Sequence, residues 1–336
     1  MNAPLPEHIR RAIESVTLDD KYKLDLGQAF MSGVQALVKL PMLQRQRDAL
    51  QGKNTAGFIS GYRGSPLGGY DQSLVKAAKY LKAQNIVFQP GVNEELAATA
   101  LWGTQQLGFA PPGSNKFDGV FGIWYGKGPG VDRCSDVFKH ANMAGTTAWG
   151  GVIAVAGDDH VAKSSTAAHQ SDHIFKACGL PVFFPSSAQE ILDLGLHAFA
   201  MSRFSGLWTS MKTIQEVVES SASIDVSPDR VNIILPTDFM VPEGGLHIRW
   251  PDVALVQEAR ADEAGTRALW ESEKNNYIDV VARQVLVRYN GVTVENARVT
   301  GLNRSDAQAL AVARAAQQKL AAGADFAAVA KASSDD

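Results

Sequence analysis

Residues 119–156 read GVFGIWYGKGPGVDRCSDVFKHANMAGTTAWGGVIAVA. An apolar run, Gly119–Trp124, is followed by a stretch of helical period, Cys134–Ala144, and then by a second apolar run, Gly151–Ala156. This order is typical of a parallel β-sheet whose crossover connections are helices. The same alternation extends from about Thr55 to Thr237, so the sequence predicts an α/β fold with a mostly parallel, open sheet flanked by helices.

The other predicted elements lie on either side of this unit. The further strands are Ala56–Ser60, Asn85–Gln89, Pro181–Phe184, Leu207–Met211 and Val231–Leu235. The further helices are Leu74–Ala83, Glu94–Leu107, Gln170–Cys178, Ala188–Arg203 and Ile214–Ser220. Asn93 and Ser187 stand at predicted helix N-caps, and Glu190, three residues after Ser187, completes a capping-box pattern.

Composition is that of an ordinary globular protein. Of the 336 residues, 45% are hydrophobic and 20% are charged. The length is enough for two domains. A formal net charge of −3 offers no general attraction to nucleic acid or to an anionic membrane. The two cysteines, Cys134 and Cys178, are too few for an iron–sulfur cluster. Without a signal core or an apolar run of about 18 residues, we expect a cytoplasmic protein that does not span a membrane.

Four polar, glycine-bearing segments follow successive predicted strands. The carboxyl ends of parallel strands lie at one edge of a sheet, which is where ligands bind in open α/β folds. The segments are 52–69 (GKNTAGFISGYRGSPLGG), 88–103 (FQPGVNEELAATALWG), 122–145 (GIWYGKGPGVDRCSDVFKHANMAG) and 156–173 (AGDDHVAKSSTAAHQSDH). None matches the dinucleotide or nucleoside-triphosphate fingerprints. Their convergence predicts one ligand-binding mouth.

Each segment also has a structural explanation when it is taken alone. The glycine loop packs a helix on the sheet about as readily as it binds a ligand. Glu94 and Glu95 open a helix, where the helix dipole favours carboxylates without any function. A carboxylate that faces the crevice would instead share a proton with a ring nitrogen. His169 and His173 have a metal-ligand spacing, but Gln170 stands where the HExxH motif has glutamate.

Five blocks along the chain resemble a known family. They are GFISGYRGSPLGGYDQ, FQPGVNEELAATALWGTQQ, YGKGPGVDRCSDVFKHAN, GDDHVAKSST with HQSDHIFKACGLPVFFPSS, and VNIILPTDF. Over Val16–Asp252 the chain resembles the amino-terminal region of fused bacterial indolepyruvate:ferredoxin oxidoreductases, a branch of the 2-oxoacid:ferredoxin oxidoreductases. The resemblance implies a thiamine-diphosphate-binding fold of the pyrimidine type. It also implies oxidative decarboxylation of aryl 2-oxoacids to acyl-CoA, with coenzyme A and ferredoxin as partners.

The resemblance implies roles for residues at the mouth. Glu94 matches the glutamate that hydrogen-bonds N1′ of the aminopyrimidine, so that the cofactor can lose its C2 proton. Ser65 matches a position near the carboxylate of the 2-oxoacid, and Arg63 beside it would pair with that anion. The other cofactor-binding or pocket-lining candidates, which have no assigned step, are Tyr62, Gly64, Pro66, Lys127, Arg133, Asp158, Asp159, His160, Ser164 and Ser165.

The chain departs from the family in two ways. The family binds the diphosphate and Mg²⁺ through a Gly-Asp-Gly motif in a separate domain, and Gly157-Asp158-Asp159 does not match it. The cysteine clusters of the family's iron–sulfur centres are also missing. We therefore expect this chain to bind the pyrimidine half alone, to hold no metal, and to be inactive without the other domains. A homodimer and a non-catalytic scaffold fragment are left open.

The carboxyl-terminal region changes character. The predicted organisation is an arm over 1–25, a pyrimidine-type domain over 26–252, a linker or exposed helix over 253–280, and a separate segment over 281–336. Ala282–Asp336 resembles the first half of a parvulin-type peptidyl-prolyl isomerase, with Gln284 where those proteins carry histidine. This resemblance implies a small, incomplete α+β segment. It leaves isomerase activity as an alternative and suggests a truncated or chimeric sequence.

Overall fold

The computed structural model describes residues 6–164, 167–238 and 240–275, together with positions 315, 318, 319 and 328. The chain divides into two compact units, Met1–Tyr277 and Ile278–Asp336. The segment predicted to resemble a parvulin therefore lies outside the described residues, apart from those four positions.

The elements of the first unit are numbered in chain order over its described residues. The strands are β1 (Gln28–Ser32), β2 (Ala56–Gly61), β3 (Ile86–Phe88), β4 (Val120–Lys127), β5 (Val152–Asp158), β6 (Val182–Phe183), β7 (Thr209–Ile214) and β8 (Ser221–Asp225). The helices are α1 (Glu7–Ser15), α2 (Asp20–Lys23), α3 (Gly33–Leu50), α4 (Tyr70–Lys76), α5 (Ala78–Ala83), α6 (Glu94–Thr104), α7 (Gly128–Arg133), α8 (Ser135–Ala144), α9 (Ser171–Ala177), α10 (Ala188–Ser205), α11 (Gln215–Val218) and α12 (Ala254–Asn275).

A six-stranded sheet forms the centre of the unit. Its strand order is β3-β2-β4-β5-β7-β6, and every neighbouring pair is parallel. The predicted α/β class is confirmed, and six of the predicted strands lie in this sheet. From β2 the chain first adds β3 on one side and then β4 on the other. The strand order therefore reverses between β2 and β4, and such a switch point opens a crevice at the carboxyl ends of the strands.

Both faces of the sheet are covered, which explains the nearly continuous apolar strands. On one face, side chains such as Ile123 and Val155 pack in a cluster with α3 and α10. On the other face, Trp124 and Trp208 pack with α6 and α8. Both tryptophans are fully buried, so the central strands are held from two sides.

The predicted seventh strand, Val231–Leu235, is wrong. This segment has no strand structure, and its backbone groups are bound by side chains. The carbonyl of Val231 accepts a hydrogen bond from Arg47, and Asn275 bonds both the amide and the carbonyl of Ile234. These three backbone groups are therefore bonded to side chains rather than to a neighbouring strand.

Two elements outside the sheet are not predicted by the sequence. They are an antiparallel ribbon, whose strands come before and after the sheet in the chain, and the long helix α3, which comes before it. Strand β1 pairs with β8 over five residues. Ser32 then caps α3, since its hydroxyl accepts from the Gln35 amide while Gln35 bonds back to the Ser32 amide. Most of α3 is buried, with Pro41 inside it.

The segment predicted as a linker or exposed helix, 253–280, begins with the helix α12. Ala264 and Ala268 are buried in the main core. Arg260 bonds the carbonyls of Ala144, Leu246 and His247, and its guanidinium lies 3.1 Å from Asp252. This helix therefore belongs to the first compact unit, whose boundary falls after Tyr277.

Candidate functional site

The site lies at the carboxyl ends of β2, β4 and β5, beside the switch point. The loop after β2 reaches both neighbours, because a Cβ built at Gly64 would lie 2.8 Å from Lys127 Cβ. A Cβ at Gly157 would likewise lie 2.8 Å from Leu67 and 3.1 Å from Pro66. These glycines are the places where the loop and strand backbones approach too closely for a side chain. The predicted convergence of loops on one edge is thus present in the fold.

Glu94 occupies the first turn of α6 at this edge. The Asn93 side chain caps the helix by accepting from the Leu96 amide, as the sequence predicts. The buried Trp124 indole donates to the Glu94 carbonyl at 3.0 Å, which fixes the helix start to β4. The Glu94 side chain is 12% exposed, whereas that of Glu95 is 48% exposed. Only Glu94 therefore presents a largely desolvated carboxylate.

The short helix α7 packs against Glu94 through a glycine and an arginine. A Cβ at Gly130 would lie 2.6 Å from Glu94 Cγ and 2.9 Å from its Oε1, so only glycine leaves room for this side chain. The Arg133 guanidinium lies 3.5 Å from Glu94 Oε2 and 3.8 Å from Glu95 Oε2. The sequence predicts Arg133 in the lining, but it carries no signal for the pairing of Arg133 with Glu94, which is 39 residues away.

The glycine loop presents polar groups outward. Tyr62, Arg63 and Ser65 are exposed at the mouth, and Gly64 is half-buried against Lys127. Pro66 is buried beneath them against β5. The side chains of Arg63 and Ser65 are thus exposed and accessible to a ligand from solvent.

Tyr125 lies behind this loop and was not a sequence candidate. Its side chain is fully buried and packs edge-on against Tyr70, with ring centres 5.0 Å apart. Burial is the main cause that raises the pKa of its hydroxyl well above the ordinary range, and the neighbouring Asp71 adds to the effect. The hydroxyl therefore stays protonated, and Tyr125 supports the loop rather than exchanging protons.

The loop after β5 is held by Asp159. Its carboxylate accepts from the amides of Lys163 and Ser164 and from the Ser164 hydroxyl. These hydrogen bonds lower the pKa of Asp159, and the bond from the Ser164 amide is the largest cause. The Lys127 ammonium in turn donates to the Ser164 carbonyl and hydroxyl at 2.7 and 2.9 Å. Lys127, Asp159 and Ser164 therefore form one network, in which Asp159 shapes the loop.

Asp158 is buried away from the solvent side of the mouth. Its carboxylate accepts from the Ser171 amide at 2.8 Å and from the Ser171 hydroxyl at 2.5 Å. Lys212 lies 3.7 Å from it and also bonds Asp172. His160 is 4.0 Å from the Asp158 carboxylate and partly exposed. Asp158 thus anchors the start of α9.

The two histidines with metal-ligand spacing point to different partners. His169 lies 3.2 Å from Asp132, whereas His173 contacts the Gln170 side chain. Across the residues that the structure describes, there is no group of three or more His, Cys, Asp and Glu side chains able to hold a metal. Both cysteines are buried thiols. Ser165 lies outside the described residues.

The sheet order and the polar edge at its switch point define an α/β protein with a ligand-binding crevice. No family model matches the chain. The chain is 27% identical over 240 residues to the indolepyruvate oxidoreductase subunit IorA of Methanothermobacter thermautotrophicus, a match that covers 67% of this chain and 35% of that protein. The chain therefore spans about a third of the length of this relative.

A solved structure shares the fold. The 2-oxoglutarate:ferredoxin oxidoreductase from Magnetococcus marinus, with 2-oxoglutarate, coenzyme A and succinyl-CoA bound, matches with a TM-score of 0.50 at 12% identity. The match covers 76% of this chain and 46% of that one. At 12% identity this match shows a shared fold. Neither comparison supports the parvulin resemblance. None of the described helices is both long and apolar enough to cross a membrane.

Proposed function

We propose that this chain supplies the pyrimidine-binding half of a thiamine-diphosphate site in an indolepyruvate-type 2-oxoacid:ferredoxin oxidoreductase. The observation that carries the proposal is the desolvated Glu94 carboxylate at the switch point of the sheet. The similarity to an indolepyruvate oxidoreductase subunit supports the same family. Thiamine diphosphate, when bound, stabilises the carbanion left by decarboxylation of the substrate.

Glu94 has the properties that an aminopyrimidine requires. Its side chain is 12% exposed, and Gly130 leaves open the space beside Cγ and Oε1. A carboxylate in this position accepts a hydrogen bond from a protonated ring nitrogen, and the low local dielectric strengthens that bond. Arg133, whose guanidinium lies 3.5 Å from Glu94 Oε2, orients the carboxylate when no ligand is present. Glu94 thus holds the proton at N1′, and Arg133 positions Glu94.

The mouth also suits the carboxylate of a 2-oxoacid. Arg63 and Ser65 are exposed on the glycine loop, and the aliphatic part of the Lys127 side chain packs against Gly64 of that loop. A guanidinium recognises a carboxylate through two parallel hydrogen bonds, and a neighbouring hydroxyl adds a third donor. We assign Arg63 and Ser65 to substrate binding on these grounds.

The donor set does not fit the diphosphate and its Mg²⁺. Within the described ranges, carboxylates do not cluster as a divalent-cation site requires. The carboxylates of Asp158 and Asp159, at the end of β5, already accept hydrogen bonds from Ser171 and Ser164 respectively. We therefore assign the diphosphate, Mg²⁺ and iron–sulfur parts to other domains or chains, with coenzyme A and ferredoxin as partners of the assembly.

Binding of the pyrimidine fragment of thiamine tests this proposal on the chain itself. The fragment, 4-amino-5-hydroxymethyl-2-methylpyrimidine, has about ten heavy atoms, so we expect an affinity of the order of millimolar. Titration followed by NMR should shift signals from α6 and α7 in the wild type and in Glu95→Gln, whose side chain is the exposed neighbour. Glu94→Gln should lose the interaction. Equal affinity of Glu94→Gln and the wild type would overturn the proposal.

A further inference from the structure

The segment between β5 and α9 is fastened to α7 at a histidine that the proposed site does not use. His169 Nε2 lies 3.2 Å from the Asp132 carboxylate, and its Nδ1 lies 3.2 Å from the Ala167 carbonyl. Its imidazole packs on the start of α7, where a Cβ at Gly128 would lie only 2.4 Å from His169 Cβ. The His169 side chain is 20% exposed and that of Asp132 is 51% exposed, so the contact is partly exposed to water.

Both ring nitrogens of His169 face oxygen acceptors. A carbonyl and a carboxylate oxygen can only accept, so each nitrogen must carry a proton if both hydrogen bonds are to form. A neutral imidazole has one N–H and can satisfy only one of the two oxygens. The complete contact therefore belongs to the imidazolium, and loss of a proton breaks one of its two bonds.

The helix α7 connects this contact to Glu94. Three residues of α7 make these contacts. Asp132 contacts His169, while Gly130 and Arg133 contact Glu94. Because α7 has only six residues, a shift at Asp132 is transmitted directly to Arg133. The position of Glu94 thus depends on where α7 is held.

We propose that His169 is a positioning residue of this site: as an imidazolium paired with Asp132 it holds α7, and through α7 it fixes the Arg133 contact and the space around Glu94. The effect of His169 on ligand binding at Glu94 rests on the proposed function, whereas the contact between His169 and Asp132 does not. The other charged or titratable groups on α7 and α9 and beside them have separate partners: Lys127 with Ser164, Arg133 with Glu94 and Glu95, Asp172 with Lys212, and His173 with Gln170.

Amide hydrogen exchange of the chain without cofactor, corrected for intrinsic rates, tests the contact at pH 5.5 and pH 8.0. A partly exposed ion pair is worth a few tenths to one kcal/mol, so protection of α7 in the wild type should fall by about threefold at the higher pH. His169→Gln and Asp132→Asn should lack this pH dependence. The matched control is His140→Gln, because His140 pairs with Asp136 on the exposed surface of α8 and should leave the behaviour of α7 unchanged.

If a variant fails to fold, two measurements on the wild-type chain still test the contact: the protonation of the His169 ring and the pH dependence of α7 protection. A ¹H–¹⁵N spectrum of the histidine rings at pH 5.5 should show both nitrogens of His169 protonated, and pH-independent protection of α7 would overturn the inference.

Fragment affinity at pH 6.5 should fall by about threefold in His169→Gln and stay unchanged in His140→Gln. If the contact is present but the fragment does not bind, the proposed function alone fails. If the fragment binds but α7 is indifferent to His169, only this inference fails.

Discussion

Replacement of Gly130 by alanine should displace Glu94 without unfolding the chain. The new Cβ would lie 2.6 Å from Glu94 Cγ and 2.9 Å from Oε1, distances that carbon and oxygen atoms do not tolerate. Overpacking of this kind costs about 1–3 kcal/mol, and alanine in place of glycine in a helix interior returns about 1 kcal/mol. The free energy of unfolding should therefore fall by no more than about 2 kcal/mol.

The effect on ligand binding should be larger than the effect on stability. Glu94 must leave its position to relieve the contact, and a hydrogen bond to a charged group contributes about 1.5–3 kcal/mol. Fragment affinity should fall by about 10- to 100-fold, which NMR titration would record as loss of saturation. Gly103→Ala is the matched control, because Gly103 also lies in a helix but no atom stands within 4 Å of its added Cβ. A folded Gly130→Ala chain with wild-type affinity would refute the role given to Glu94.

Two further predictions concern stability. Burial raises the pKa of Glu271 to about 8 from an ordinary value of 4.5, so the folded chain binds more protons than the unfolded chain between these values. The free energy of unfolding should fall as pH rises from about 4.5 to 8, by an amount of the order of 5 kcal/mol. Glu271→Gln should remove this fall in urea unfolding, and an unchanged pH slope in that variant would contradict the prediction. Asp48→Asn should cost about 3–5 kcal/mol, because the buried Asp48 accepts two bonds from Arg203 at 2.6 and 2.9 Å. Glu14→Gln, which removes an exposed pair with Arg10, should change the same free energy by less than about 0.5 kcal/mol, and equal losses would show that burial is not the cause.

The parallel sheet could be predicted from the sequence because its strands are buried on both faces. Runs such as Gly151–Ala156 are apolar at successive positions, and two of the helices between them, α6 and α10, begin at recognisable caps. The ribbon of β1 and β8 could not be predicted, since Ser221–Asp225 is polar and its partner lies about 190 residues earlier. Helix α3 was missed because it is buried almost all round and contains Pro41, so it has neither a polar stripe nor an unbroken helical pattern.

The site shows the same division between local and long-range information. The position of Glu94 at a helix start follows from Asn93 and the strand before it. Its pairing with Arg133, and the room that Gly130 leaves, depend on how α7 folds back onto α6. Asp158 was counted among the lining residues on sequence grounds, whereas its carboxylate is turned toward Ser171 and Lys212. Side-chain direction at a strand end is a property of the packed fold, which spacing alone does not supply.

The central claim is that Glu94 receives the ring nitrogen of an aminopyrimidine. A crystal structure of the chain with the pyrimidine fragment of thiamine tests this most directly. We expect N1′ to lie within about 2.6–3.2 Å of a Glu94 carboxylate oxygen, beside Gly130 and at the carboxyl ends of β2 and β4. A fragment bound elsewhere, or bound at this edge with its ring nitrogen turned away from Glu94, would contradict it.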